Sequence, residues 1–155
     1  MRPCTPLKIA VIGAGVAGCT VAFELSKQGF NVTLLDESTP GLKGASGGPV
    51  ALLNPYRGRS GRASSQDLVS LNVFWKLCSD LTQQGFNPGA TKSGILRIAH
   101  NTRQAKNWHK LPAVSWLNPE DIPYPYNSRY GGFIVNDGGW LQPNKFLIAL
   151  VKGAT

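Results

Sequence analysis

The stretch Ile9-Ala10-Val11-Ile12-Gly13-Ala14-Gly15-Val16-Ala17-Gly18 decides how this chain reads. It is followed by a helical pattern to Gln28 and by Val32-Thr33-Leu34-Leu35, which closes on Asp36. An apolar strand, a glycine-bearing turn, a helix and a second strand that ends on an acid make a βαβ unit. Each glycine has a mechanical task there: Gly13 permits the tight turn, Gly15 lets the backbone approach a pyrophosphate, and Gly18 lets the helix pack closely on the strand. The helix N-terminus offers free N–H groups, here near Val16 and Ala17, and a partial positive charge that favours phosphate. Glycines at this spacing also mark ordinary turns. The strand before them, the helix after them and Gly29 where that helix should stop specify a dinucleotide site.

Asp36 falls eighteen residues beyond Gly18, close to the spacing of an acid that accepts hydrogen bonds from a ribose. A carboxylate there favours a free 2′-hydroxyl and repels a 2′-phosphate, so NAD or FAD is expected over NADP. Glu37 is the neighbouring candidate. Alternation along a strand sends adjacent side chains to opposite faces, which makes Asp36 the preferred ligand.

At 155 residues the chain is one domain's worth, yet short for an enzyme that holds a dinucleotide and a substrate together. The net charge of +8 with only 15% charged residues reflects few acids rather than basic tracts. Its densest cluster, Arg57, Arg59 and Arg62, lies in a Gly/Ser-rich stretch and reads as a solvated loop, with phosphate or nucleic-acid contact as the functional alternative. Cys4, Cys19 and Cys78 are widely spaced, without a CxxC pair, and read as reduced thiols rather than a zinc site or a disulfide framework. His100 and His109 lack carboxylates or thiols at ligand spacing, so they read as surface imidazoles and no metal is expected. Trp75, Trp108, Trp116 and Trp140 are scattered and suggest no base-stacking platform. No apolar leader precedes the first strand and no apolar run reaches membrane-spanning length. A soluble, cytoplasmic protein without a membrane partner is expected.

Beyond Asp36 the periodicity breaks into a loop rich in turn-formers, residues 38–49, followed by a short apolar strand at Val50 to Leu53. From Gln66 to Gln84 the residues Leu68, Leu71, Trp75, Cys78 and Leu81 recur at helical spacing and predict a packed helix. Gly94 to Ala99 and Gly131 to Val135 read as strands, Thr102 to Lys110 as a short helix, and Val114 to Ile122 as a proline-flanked connection that is helical near Pro119. Pro143 suits the first turn of a last helix running to Lys152, with Gly153 as its stop.

Four blocks, in order, resemble the FAD-dependent D-amino-acid oxidase and glycine oxidase superfamily. They are Ile9 to Asp36; Gly44-Ala45-Ser46-Gly47-Gly48 with its continuation to Pro55; Lys92 to Ala99; and Val114 to Ile122 joined to Gly131 through Pro143. The resemblance implies an α/β architecture: a Rossmann-like βαβ FAD-binding domain, incomplete, followed by the start of an α+β substrate domain. Residues 1–60 would be the N-terminal part of the FAD-binding domain, 61–135 the first part of the substrate domain, and 136–155 a truncated return. FAD is the implied cofactor. The loop with Ala45 and Ser46 would pass along its phosphates, with Ser46 donating a hydrogen bond. The implied chemistry is oxidation of an amine or amino acid by hydride transfer to flavin, with Arg57 or Arg59 as a candidate clamp for a substrate carboxylate. The second block is also similar to the flavin domain of bacterial enzymes that modify the tRNA wobble uridine, which makes tRNA an alternative partner. In family members further strands follow, so the chain reads as the N-terminal portion of a longer flavoenzyme, with a truncated product or half of a split enzyme as alternatives. A missing C-terminal half or a partner chain is expected to be required. Alone, residues 1–155 are expected neither to hold FAD tightly nor to oxidise amines.

Overall fold

The structure, a computed structural model, describes residues 7–40, 43–111 and 114–154. Cys4 lies outside the described residues. In chain order the elements are β1 (Lys8–Ile12), α1 (Val16–Lys27), β2 (Asn31–Leu35), a 3-10 turn (Ala45–Gly47), β3 (Ala51–Leu53) and α2 (Ser65–Gln83). There follow β4 (Ala90–Thr91), β5 (Ile95–Ile98), α3 (Thr102–Trp108), β6 (Ser115–Leu117), a second 3-10 turn (Pro119–Asp121), β7 (Gly132–Val135), β8 (Gly139–Leu141) and α4 (Pro143–Gly153). The chain divides into two compact units. One takes the chain up to Ala51, residues 76–90 and the chain from Leu141; the other takes 52–75 and 91–140. No helix among the described residues is long and apolar enough to cross a membrane.

In the first unit β1 and β2 pair in parallel, from Lys8 opposite Asn31 to Ile12 opposite Leu35. The helix between them ends as its sequence directs: Gly29 takes φ of +84°, its N–H reaches Ser26 O, and the Phe30 N–H reaches Leu25 O, which satisfies two end carbonyls. Cys19, Ala22 and Phe23 of α1 are buried, as are Leu81 and the α4 residues Phe146, Leu147 and Leu150. Burial of such side chains contributes about 1.5–3 kcal/mol each for the larger ones. The two-stranded sheet leaves Ile12 85% exposed, because no third strand adjoins it among the described residues.

Gly153 departs from the expected role of helix stop. It is the last residue of α4, and a Cβ there would lie 2.9 Å from Phe23 Cε2 and 3.1 Å from Leu81 Cδ2. Its small size serves packing rather than termination.

In the second unit β5, β7 and β6 form an antiparallel sheet with β7 in the middle, Phe133 standing opposite Arg97 on one side and Trp116 on the other. Tyr56, Ala99, Trp108, Phe133 and Val135 form its core, with Tyr56 and Trp108 both edge-on to Phe133 at 5.6 and 5.3 Å. The segment 57–62 is not the plain solvated loop its composition predicts. Arg57 and Arg62 bridge in antiparallel fashion, and the Trp108 indole N–H donates to Arg59 O at 3.1 Å. The Arg97 guanidinium donates to Tyr56 O and Gly58 O while lying over the Trp108 ring at 4.8 Å. Desolvation lowers its pKa. Five donors in a rigid fork suit this task.

Candidate functional site

The turn after β1 is built from the three glycines in three ways. Gly13 takes φ of +99°, a conformation that costs other residues, and its N–H donates to Leu35 O at 2.7 Å, which ties the turn to the end of β2. Gly18 faces the turn itself: a Cβ there would lie 1.8 Å from Gly13 O and 3.5 Å from Val11 Cγ1. Gly15 is the extended residue that precedes α1, with no side-chain cap, and a Cβ there would meet only Ser46 Oγ, at 3.6 Å. The backbone at Gly15 is therefore open on one side.

Asp36 braces this turn. Its Oδ2 accepts the Ala14 N–H at 2.6 Å, and its Oδ1 accepts the Ser38 N–H at 2.8 Å and the Ser38 hydroxyl at 3.0 Å. The Ala14 N–H, then the Ser38 groups, hold the carboxyl below the usual carboxylate range, with Lys43 adding to the effect. Glu37 is placed differently, exposed and 3.5 Å from Lys43 Nζ. Ser46 comes from the other direction on the 3-10 turn Ala45–Gly47, which follows Gly44 at φ of +70°. Its Oγ accepts the Val16 N–H at 3.2 Å.

These pieces enclose a cavity of about 250 Å³ lined by Ala14, Gly15, residues 36–39 and residues 43–46. Of the residues the sequence points to, Gly15, Asp36, Glu37, Ala45 and Ser46 line it. Gly13 and Gly18 shape the turn behind it, and Val16 and Ala17, which begin α1 after Gly15, are not among its lining residues. Sequence reasoning missed Ser38, Thr39 and Lys43. The available signal was that Lys43 is the sole charged residue between Ser38 and Val50.

The other candidates lie elsewhere. Arg57 is paired with Asp67 at 2.8 Å, and Asp67 also takes the Ser64 hydroxyl at 2.7 Å. That pairing occupies the guanidinium expected to be available as a clamp. Arg59 is exposed. His100 is exposed, while His109 lies against Trp116 with ring centres 5.2 Å apart. Cys19 and Cys78 are free and buried, and burial pushes the Cys78 thiol up to about 12.

A family-wide sequence profile described as FAD dependent oxidoreductase, abbreviated DAO, matches residues 8–155. The chain belongs to this family of FAD-dependent oxidoreductases. Among solved structures, glycine oxidase from Geobacillus kaustophilus superposes with a TM-score of 0.74 at 21% identity, over 94% of this chain and 43% of that one. The fold is thus that of the family's FAD-binding members, in part. Among curated relatives, the tRNA 5-methylaminomethyl-2-thiouridine biosynthesis bifunctional protein MnmC of Pseudoalteromonas atlantica is 27% identical over 95% of this chain and 22% of its own length. The protein of the same name from Acinetobacter baylyi is 56% identical over 54 residues, 35% of this chain and 8% of its own. The chain spans about a fifth of the first of these relatives and under half of the glycine oxidase chain.

Proposed function

We propose that this chain is the N-terminal portion of an FAD-dependent enzyme that oxidises the carbon–nitrogen bond of an amine. The observation that carries the proposal is the single cavity that gathers Gly15, Asp36, Ala45 and Ser46 at the start of α1. The residues fit the cofactor: an open backbone at Gly15, a helix start with N–H groups, and an acid at the end of β2. FAD, when bound, supplies the hydride acceptor. The protein's own groups bind and orient it. The Val16 N–H is taken by Ser46 Oγ, so among the first N–H groups of α1 it is the one at Ala17 that would hold the pyrophosphate, with Ser46 relaying from Val16. Ser46 already accepts from Val16 N–H, so its own proton is free to donate to a phosphate oxygen. Asp36 keeps lone pairs for the adenosine ribose and disfavours a 2′-phosphate, with Glu37 the adjacent alternative. Lys43 adds a positive charge at the same cavity.

In this reading residues 1–60 and 136–155 belong to the FAD-binding domain and 61–135 begin the substrate domain; the chain does alternate between two compact units, but with 52–60 and 136–140 in the second and 76–90 in the first. A cytoplasmic setting fits the two buried free thiols. The substrate is either a free amino acid or amine, in keeping with the fold neighbour, or an amine carried on a tRNA base. The names of the curated relatives and the 56% identical stretch favour the latter. The remaining walls of the site are to come from residues beyond this segment or from a partner chain.

The test is anaerobic reduction of the full-length flavoprotein by glycine, by sarcosine and by tRNA bearing an aminomethyl-type substituent on uridine. Bleaching by one of these is expected, and the segment 1–155 alone should retain no stoichiometric flavin. A full-length protein that does not bind FAD, or a segment that turns over by itself, overturns the proposal.

A further inference from the structure

The short helix α3 carries no acidic residue, and its C-terminal end is flanked by two grooves. One, about 370 Å³, is lined by Ala105, Lys106, His109, Lys110 and Trp116. The other, about 690 Å³, has Arg62, Lys110, Ser60 and Asn107 along an apolar floor that includes Tyr56 and Leu111. Lys110 lines both. Among the described residues no carboxylate lines either groove: Asp67 is paired with Arg57, Asp121 caps its own turn at Asn118, and the exposed Glu120 beside it lines neither. The positive charge of Arg62, Lys106 and Lys110 is therefore not cancelled by a neighbouring acid.

Beside those cations the fold assembles an aromatic pair that sequence spacing did not reveal. The His109 and Trp116 rings lie 5.2 Å apart and inclined at 59°, and the imidazole is exposed. Gly131, whose φ is +78°, leaves room for the indole: a Cβ there would lie 2.8 Å from Trp116 Cζ2. Cations that track phosphates, set around exposed aromatic rings, are what single-stranded nucleic acid requires.

We propose that the C-terminal end of α3 and its two grooves form an RNA-contact face, with Lys106, Lys110 and Arg62 on phosphates and an unstacked base against the exposed His109 ring of the inclined Trp116–His109 pair. The proposal rests on the tRNA reading above, for which it supplies the contact surface. None of these residues belongs to the cavity at Gly15.

The test uses the full-length protein and a fluorescently labelled, unmodified tRNA transcript, with anisotropy followed over a salt series. Lys106→Gln with Lys110→Gln should weaken binding by about tenfold or more and flatten the slope of log affinity against log salt by about 1–2. Lys106→Arg with Lys110→Arg should restore both. His109→Ala should weaken binding by about fivefold or more without altering the slope. Flavin content should stay unchanged in every variant. Wild-type protein that binds tRNA tightly while the variants match it leaves the tRNA reading standing and overturns this face. Wild-type protein that does not bind tRNA removes both. Equal losses on heparin and tRNA, with no effect of His109→Ala, would mean polyanion adhesion and would also overturn the proposal.

Discussion

Gly18 and Gly15 stand three residues apart in one turn, yet the structure gives them separable tasks, and substituting each tests this. In Gly18→Ala the new methyl would lie 1.8 Å from the Gly13 carbonyl oxygen, a backbone atom that cannot rotate away. The turn must open by more than about 1 Å to reach ordinary contact distance. Alanine in a helix interior gains about 0.5–1 kcal/mol over glycine, while overpacking of this kind costs about 1–3 kcal/mol and occasionally more. Because the obstructing atom is main chain, the upper part of that range applies. A net loss of about 2 kcal/mol is expected, and flavin should be lost as well, since the displaced carbonyl belongs to the phosphate turn. Gly15→Val differs. Its φ of −77° is open to any residue and a Cβ there meets only Ser46 Oγ, at 3.6 Å, so the apoprotein should stay within about 1 kcal/mol of wild type, the scale of a helix N-cap change. The side chain would instead fill the open side of the turn and exclude the pyrophosphate. Urea unfolding of the full-length apoproteins, with flavin content of the holoproteins, separates the two. The reasoning is refuted if Gly18→Ala unfolds at the wild-type midpoint with flavin bound, or if Gly15→Val keeps stoichiometric yellow flavin.

Three further outcomes follow from single groups. Asp36 is held below the usual carboxylate range by its Ala14 and Ser38 donors, so its bracing is complete above about pH 4, the value of an unfolded carboxylate, and is lost as pH falls through the lower folded value. Flavin release, read by fluorescence, should rise only in that acid window, and Asp36→Asn should abolish the acid limb; an identical limb in the variant would assign it to another group. Arg97→Lys cannot reproduce the paired donation to Tyr56 O and Gly58 O, so urea unfolding should report a loss of about 1.5–3 kcal/mol, and no loss would mean that the 57–62 hairpin does not depend on it. With its thiol pushed up to about 12, Cys78 should resist iodoacetamide in the folded protein and react after denaturation, as peptide mapping would show; rapid labelling of the native state would contradict its burial.

The βαβ unit was legible in sequence because its rules are local. A turn that needs positive φ, a helix that needs a small residue against that turn, and a stop at Gly29 each leave a glycine at a set distance from the others. α2 was legible for the same reason, its apolar stripe repeating over nineteen residues. The three-residue strand β6 was not. Its strand character comes from pairing with Gly132 to Ile134 across the sheet, and nothing in Ser115 to Leu117 announces that register. The hairpin at 57–62 was hidden likewise, because Arg97 and Trp108, about forty to fifty residues further along, fold it. Gly153 was misread for a related reason: a terminal glycine suggests a stop, and only its contact distance to Phe23 and Leu81 reveals packing. At the candidate site the sequence pointed to Asp36, but its attachment to Ala14 spans twenty-two residues and became visible only once β1 and β2 lay side by side.

The Asp36 carboxylate also constrains how cofactor choice can evolve. One side chain closes the turn and, in the proposed role, meets the ribose, so a lineage drifting toward a 2′-phosphorylated nucleotide cannot simply discard it. Loss of both oxygens would orphan the Ala14 and Ser38 donors at the moment the repulsion was relieved. Asparagine keeps one acceptor oxygen but would set its NH2 against the Ala14 or the Ser38 N–H, so even a neutral intermediate gives up one arm of the brace before any cationic residue can settle nearby. Selection on folding and selection on nucleotide preference thus act on the same two atoms, and the first holds the second in place.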